Sequence, residues 1–307
     1  MSNQIWLVTG ATSGLGFALV EHILAQGDKV IACGRNVAAK VAGLKSDNLG
    51  LLELDITSGQ DHVKQQINSA WEIFGHIDIL VNNAGMAAVK PAEEGDDKFI
   101  QNMFNVNFFG QLHVTNAILP HMRAQGSGCI AFTSSSATWA MLPFMAHYSA
   151  SKAALSAFVE SFAKEVRPLG IRCVSFECGG FQTQLGQPRD ASGSFGSSGP
   201  AIEAYAPMFS DFVGTMMSNV NDHASGNIAK CAAAMYDIAT RRGVAADKPW
   251  AVRVALGTDA LGSTKQRCSE QLKLAELWED VSKSCEREGA SGATANKEMF
   301  KFTTVLE

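Results

Sequence analysis

Short, continuously apolar runs alternate along this chain with longer segments whose apolar residues recur at helical spacing. The runs fall at 5–9, 29–33, 51–54, 77–81, 129–133 and 171–176. A strand that faces solvent on one side alternates apolar with polar residues, whereas these runs are apolar throughout, as a sheet covered on both faces requires. Between them the helical period is plain: Leu15, Ala18, Leu19 and Ile23 fall on one face of the segment 15–26. Strand, helix, strand, repeated with short connections, predicts a single doubly wound parallel sheet of Rossmann type, an α/β fold with helices on both faces. Ser58 is the expected cap of a helix over 60–74, and Gly95-Asp96-Asp97 opens a long helical run to Arg123. A seventh strand is expected near 251–256 and a final amphipathic helix near 264–283.

The segment 190–200, Asp-Ala-Ser-Gly-Ser-Phe-Gly-Ser-Ser-Gly-Pro, breaks this rhythm with the composition of a flexible loop. Because the alternation resumes after it, we read one domain over 1–287 with a substrate-covering insertion at 188–221. Residues 288–307 lack periodicity and are expected to be a loosely attached tail.

Composition narrows the function. Of the 307 residues 46% are apolar and 18% charged, which suits a large core, and the net charge of −5 argues against a nucleic-acid partner. No apolar run is long enough for a membrane span, and the first residues show neither a basic region nor a cleavage site. The seven cysteines are odd in number, scattered and without a Cys-x-x-Cys pair, which predicts free thiols in a reducing, cytoplasmic setting. The histidines show no metal-binding spacing, and no Gly-x-Ser-x-Gly elbow exists for a serine hydrolase.

Three places carry chemistry. The first run enters Thr9-Gly10-Ala11-Thr12-Ser13-Gly14-Leu15-Gly16 and then a helix, a junction where backbone N–H groups can face a pyrophosphate at the positive helix end. An ordinary tight turn is the competing reading of the glycines. The second run ends Cys33-Gly34-Arg35-Asn36, with no acid there for a ribose 2′-hydroxyl and an arginine suited to a 2′-phosphate. NADP(H) is therefore expected over NAD(H). Finally, Tyr148-Ser149-Ala150-Ser151-Lys152 places a phenol and an ammonium one helical turn apart, and Ser135 precedes them by thirteen residues. An ammonium beside a phenol lowers its pKa and lets it exchange a proton near neutrality.

With Asn82-Asn83-Ala84-Gly85 and with Asn107 in Asn105-Val106-Asn107-Phe108-Phe109-Gly110, these motifs make residues 4–185 resemble the short-chain dehydrogenase/reductase family. The resemblance implies an oxidoreductase acting on CH–OH and C=O groups. Tyr148 would be its general acid or base, Lys152 would lower the Tyr148 pKa and hold the nicotinamide ribose, and Ser135 would polarise the carbonyl. Asn107 would hold a water that links Lys152 to solvent. Gly10, Thr12, Ser13, Gly14, Leu15, Gly16 and Arg35 would bind the cofactor, and Asp55 would contact adenine. Asn83, Ala84 and Gly85 would line the adenosine side and brace the sheet, and Thr183 would bond the carboxamide. It further implies a homo-oligomer, dimer or tetramer. One departure stands out: Glu177-Cys178-Gly179-Gly180 has cysteine where the family has proline, which puts the rigidity of the loop beside the nicotinamide in doubt. Nothing beside Cys178 would activate its thiol, so it is read as structural.

Trp139, Met141, Leu142, Phe144 and Met145 suit either an apolar substrate wall or core packing, and His147 pocket wall or surface. The expected reaction is NADPH-dependent reduction of a ketone or aldehyde on a fairly apolar small molecule, or its reverse. An acyl-carrier-type reductase and a cofactor-binding regulatory protein without turnover are the alternatives.

Overall fold

The structure, a computed structural model, describes residues 3–181, 199–222 and 226–287. The strands β1 (Ile5–Thr9), β2 (Lys29–Gly34), β3 (Leu49–Glu53), β4 (Ile79–Asn82), β5 (Gly128–Ser135), β6 (Ile171–Cys178) and β7 (Arg253–Leu256) form one parallel sheet in the order β3-β2-β1-β4-β5-β6-β7. Strand order reverses between β1 and β4, and the carboxyl ends on either side of such a switch point open the crevice where ligands of doubly wound sheets bind.

Helices α3 (Gln60–Phe74), α5 (Gly110–Gln125) and α7 (Ala146–Val166) cover one face, packing Ile67, Ile118 and Leu155 on Leu7, Leu80 and Ile130. Helices α1 (Gly14–Ala25) and α9 (Ile228–Thr240) cover the other, where Leu19, Ile23 and Met235 meet Val8, Val30 and Val81. The expected doubly wound sheet is thus the fold. No helix of the described residues is long and apolar enough to cross a membrane.

The differences from expectation lie at edges and ends. The edge strand β3 alternates buried Gly50 and Leu52 with exposed Leu51, because only one strand flanks it and solvent reaches its outer face. The helix expected from Ser58 is capped instead by Gly59, at φ 97°, while the Ser58 hydroxyl donates to the Asp55 carbonyl (2.7 Å). Asp96 does cap α4 (Asp97–Phe104), accepting from Phe99 N (2.7 Å). Between α4 and α5 the chain makes one π-helical turn, Asn105–Phe109, so the run to Arg123 holds a local widening at its centre. The last helix starts earlier than its apolar pattern suggests, as α10 (Thr258–Leu277), and breaks before α11 (Glu279–Ser284). The loop at 190–200, apart from its last two residues, and the tail 288–307 lie outside the described residues.

Candidate active site

The β1–α1 turn runs against the ends of two neighbouring strands. Ala11 N donates to the Cys33 carbonyl (3.0 Å), and the Thr12 side chain packs on Gly34. Gly10 sits at φ 64°, and a Cβ there would come within 2.8 Å of the Ala84 backbone; one on Gly16 would meet the Gly10 carbonyl oxygen at 2.4 Å. Both positions therefore exclude any other residue. Ser13 is the N-cap of α1 but makes no side-chain cap bond, so it leaves first-turn N–H groups to another acceptor. Leu15 points into the core beneath them. This cradle fits a pyrophosphate.

Asn83 ties three strands together at this point. Its backbone N–H and that of Ala84 donate to Thr9 Oγ1 (3.0 and 3.1 Å), and its amide donates to the Thr9 and Gly10 carbonyls (3.1 and 3.3 Å). Thr133 Oγ1 donates to its Oδ1 (3.2 Å), carrying the brace to β5.

At the β2 end the absence of an acid, true of the local sequence, fails in space. Gly34 pairs with Glu53 of β3, whose carboxylate accepts the N–H groups of Asn36 (2.5 Å) and Val37 (3.0 Å). Arg35 lies 3.7 Å from Asp55 and is otherwise open to solvent. Burial pushes the Asp55 carboxyl up, but hydrogen bonds from Thr57 and the Arg35 charge outweigh it and hold the group below its usual range.

The expected catalytic set converges at the carboxyl end of β5. Ser135 is its last residue, and Tyr148 and Lys152 stand one turn apart on the buried side of α7. Asn107, within the π-helical turn, is wholly buried. Its Oδ1 accepts from Met86 N (2.8 Å), while Nδ2 donates to the Met86 carbonyl (2.9 Å) and Ser151 Oγ (3.0 Å). A Cβ on Gly85 would sit 3.3 Å from Asn107 Oδ1 and 3.4 Å from Lys152 Nζ, so the three meet at one point.

The electrostatics differ from the simple phenol–ammonium pair. Lys152 Nζ donates to the Thr133 carbonyl (2.8 Å), and burial pulls its pKa down to about 8. Burial pushes the Tyr148 phenol up to about 12, against a smaller lowering from its hydrogen bond with Ser135. Near neutral pH the phenol is thus protonated and the amine still mostly cationic. The arrangement is loaded to give a proton.

The wall residues divide. Phe144 and Met145 join an apolar cluster with Tyr148, Val89, Phe209 and Phe212, and the Phe144 ring meets Phe209 at 5.1 Å between centroids. Phe209 and Phe212 belong to α8 (Ala206–Asp222), in the region expected to cover the substrate. Met141 and Leu142 are exposed, and Trp139 lies under the Arg253 guanidinium (4.0 Å). His147 ties its ring Nε2 to the Ala92 carbonyl (3.0 Å). Cys178 is buried, and its contact with Cys231, reinforced by burial, raises its thiol well above the ordinary range, which agrees with the inert, structural reading. The loop after it is restrained without proline. Ser136 N donates to the Cys178 carbonyl (2.8 Å), Gly179 N to the Leu256 carbonyl (2.8 Å), and Gly180 N to Asp259 Oδ2 (2.6 Å). Thr183 lies outside the described residues.

Sequence reasoning missed Glu53, Asp259, Thr138 and the pair of buried Glu177 with half-buried Arg253. The available signal was an acid in β6 and a base in β7, the two strands at one end of the sheet.

Residues 4–192 match the short chain dehydrogenase family. The chain is 34% identical over 195 residues to an uncharacterized oxidoreductase of Staphylococcus saprophyticus, a match covering 62% of this chain and 83% of the relative. It is 31% identical over 209 residues to the 3-ketodihydrosphingosine reductase of Bacteroides thetaiotaomicron, covering 68% and 74%. A short-chain dehydrogenase crystal structure from Streptomyces avermitilis is similar with a TM-score of 0.79 at 30% identity, over 93% of this chain and all of that one. The chain belongs to the short-chain dehydrogenase family and is an NAD(P)-dependent oxidoreductase.

Proposed function

We propose that the protein reduces a ketone or aldehyde on a fairly apolar small molecule with NADPH, and oxidises the matching alcohol in reverse. The observation that carries this reading is the buried convergence of Ser135, Tyr148 and Lys152, with the phenol protonated. Tyr148 is the general acid that gives its proton to the carbonyl oxygen and the base that recovers it. Ser135 polarises the same oxygen, and Lys152 stabilises the tyrosine oxygen as the proton leaves. Asn107 fixes the spacing between the loop at Met86 and α7, on the side where Lys152 exchanges its proton.

The glycine cradle with Thr12 and Ser13 would hold the pyrophosphate, Asn83, Ala84 and Gly85 the adenosine side, Asp55 the adenine, and Lys152 with Thr183 the nicotinamide end. When bound, that group supplies the hydride in reduction and takes it up in oxidation. Arg35 supports the NADP(H) preference because its exposed guanidinium is free to turn from a weak contact with Asp55 to a 2′-phosphate. The apolar cluster of Phe144, Met145, Phe209 and Phe212 supports an apolar substrate beneath α8, within the covering segment 188–221. A relative named as a ketone reductase supports the group reduced.

The test is NADPH oxidation by the wild-type protein across ketones of graded size. Turnover should rise with apolar bulk; turnover confined to the smallest ketones would contradict the apolar assignment, and none at all would contradict the reductase reading.

A further inference from the structure

Glu177, near the end of β6, is 1% exposed, and donors from four elements converge on its carboxylate. They are Thr138 Oγ1 of α6 (Ala137–Ala140) at 2.6 Å, Ser156 Oγ of α7 at 2.9 Å, Ser175 Oγ of β6 at 2.9 Å and Arg253 Nε of β7 at 3.0 Å. The guanidinium also donates to Glu160 of α7 (3.0 Å) and to Thr138 Oγ1 (3.1 Å), and stacks on Trp139. Two of these contacts lead straight to the catalytic set. The Thr138 hydroxyl lies 2.9 Å from the Ser135 carbonyl oxygen. Ser156 pairs with Ser134 (2.8 Å), whose hydroxyl reaches the Lys152 carbonyl (3.4 Å).

Burying the Glu177 carboxylate and half-burying its guanidinium partner costs desolvation even when they are paired, and apolar residues of the same volume commonly hold a fold as well or better. Stability is therefore a poor reason for this cluster. We propose that Glu177, supported by Arg253, is a positioning residue for the carbonyl chemistry: through Thr138 and Ser156 it holds the Ser135 turn against α7, and its negative charge favours the Lys152 ammonium. The proposal rests on the reductase reading.

The groups whose charge acts on Lys152 are Cys178 and Glu177 on β6; Glu177 is itself paired with Arg253 on β7, which Glu160 on α7 also holds. The Cys178 thiol, raised far above its ordinary range, is neutral at working pH. Glu177 is thus the anion that opposes the burial-driven loss of the lysine proton. Removing its charge leaves Arg253 balanced by Glu160 alone, which pushes in the same direction.

The test compares Glu177→Gln, Thr138→Val and Thr138→Ser with the wild type, following NADPH affinity, kcat, KM and the pH profile of ketone reduction. In Glu177→Gln the alkaline limb set by Lys152 should move to lower pH by about half a unit or more. Thr138→Val, which keeps the side-chain shape and should fold even if the charge variant does not, should lower kcat about fivefold or more. Its NADPH affinity should hold, and Thr138→Ser should restore kcat. A folded Glu177→Gln protein with an unmoved limb, or Thr138→Val with undiminished kcat, overturns the proposal. A wild-type protein that binds NADPH and reduces no carbonyl overturns the reading beneath it instead.

Discussion

At the end of β2 opposite charges compete for one turn. Arg35 suits a 2′-phosphate, while Glu53 already occupies the N–H groups of Asn36 and Val37. Arg35→Ala should weaken NADPH binding about tenfold or more and leave NADH nearly unchanged, since charge-assisted contacts contribute about 1.5–3 kcal/mol. Glu53→Gln should shift preference a few-fold toward NADPH, because one like charge near the phosphate is worth about 1 kcal/mol in a solvated setting. Titrating both nucleotides against each variant checks this, and equal effects on the two would place both side chains away from the 2′ position. The wild-type pH profile follows from the same physics. The Lys152 ammonium, with its pKa near 8, is present below that pH and lost above it, whereas the Tyr148 phenol stays protonated well beyond. Reduction should therefore fall as pH rises through about 8. A profile still flat about one unit higher would detach Lys152 from the reaction.

Among elements, the loop leaving β6 shows how a missing proline is offset. With Cys178 at the proline position, three backbone bonds hold the loop, one of them to Asp259 in the first turn of α10. Asp259→Ala should raise the cofactor KM or lower kcat several-fold, and adding Cys178→Pro should recover the loss, because a fixed φ supplies the same restraint. Kinetics unchanged in the single variant would show that the bond is incidental. This restraint was invisible in the sequence, since Asp259 lies 79 residues from Gly180. The central strands were legible because burial on both faces leaves an unbroken apolar run. The edge strand β3 was legible with its bounds shifted, 51–54 for Leu49–Glu53, its outer face being wet, and α10 was read as starting at 264 where it starts at Thr258, because it buries little beyond Ala260 and so has scant periodicity to read. Tyr148 and Lys152 were legible because one helical turn fixes their spacing. Glu177 and Arg253 meet only through the strand order of the finished sheet.

Across the whole molecule, α9 is tied back to the start of the chain through a buried polar node. Asp28 accepts from Trp6 Nε1 (3.2 Å), Gln4 N (3.0 Å) and Tyr236 Oη (2.8 Å), and Tyr236 stacks on Trp6. Tyr236→Phe keeps the stack but removes one donor from a buried carboxylate, and should cost about 1–3 kcal/mol of stability. NADPH affinity should not change, since the node belongs to the packing of α1 and α9 and not to the cradle. Denaturant unfolding with a parallel nucleotide titration separates the two, and a loss of affinity without a loss of stability would contradict this division.

In the proposed reaction everything depends on Tyr148 delivering the proton. Single-turnover and steady-state ketone reduction by Tyr148→Phe, alongside its NADPH affinity, addresses it directly. Affinity should stay close to that of the wild type and turnover should fall by about 100- to 10,000-fold, the usual range for loss of a general acid. Turnover above about a tenth of the wild-type value, with chemistry shown to limit the rate, would contradict it.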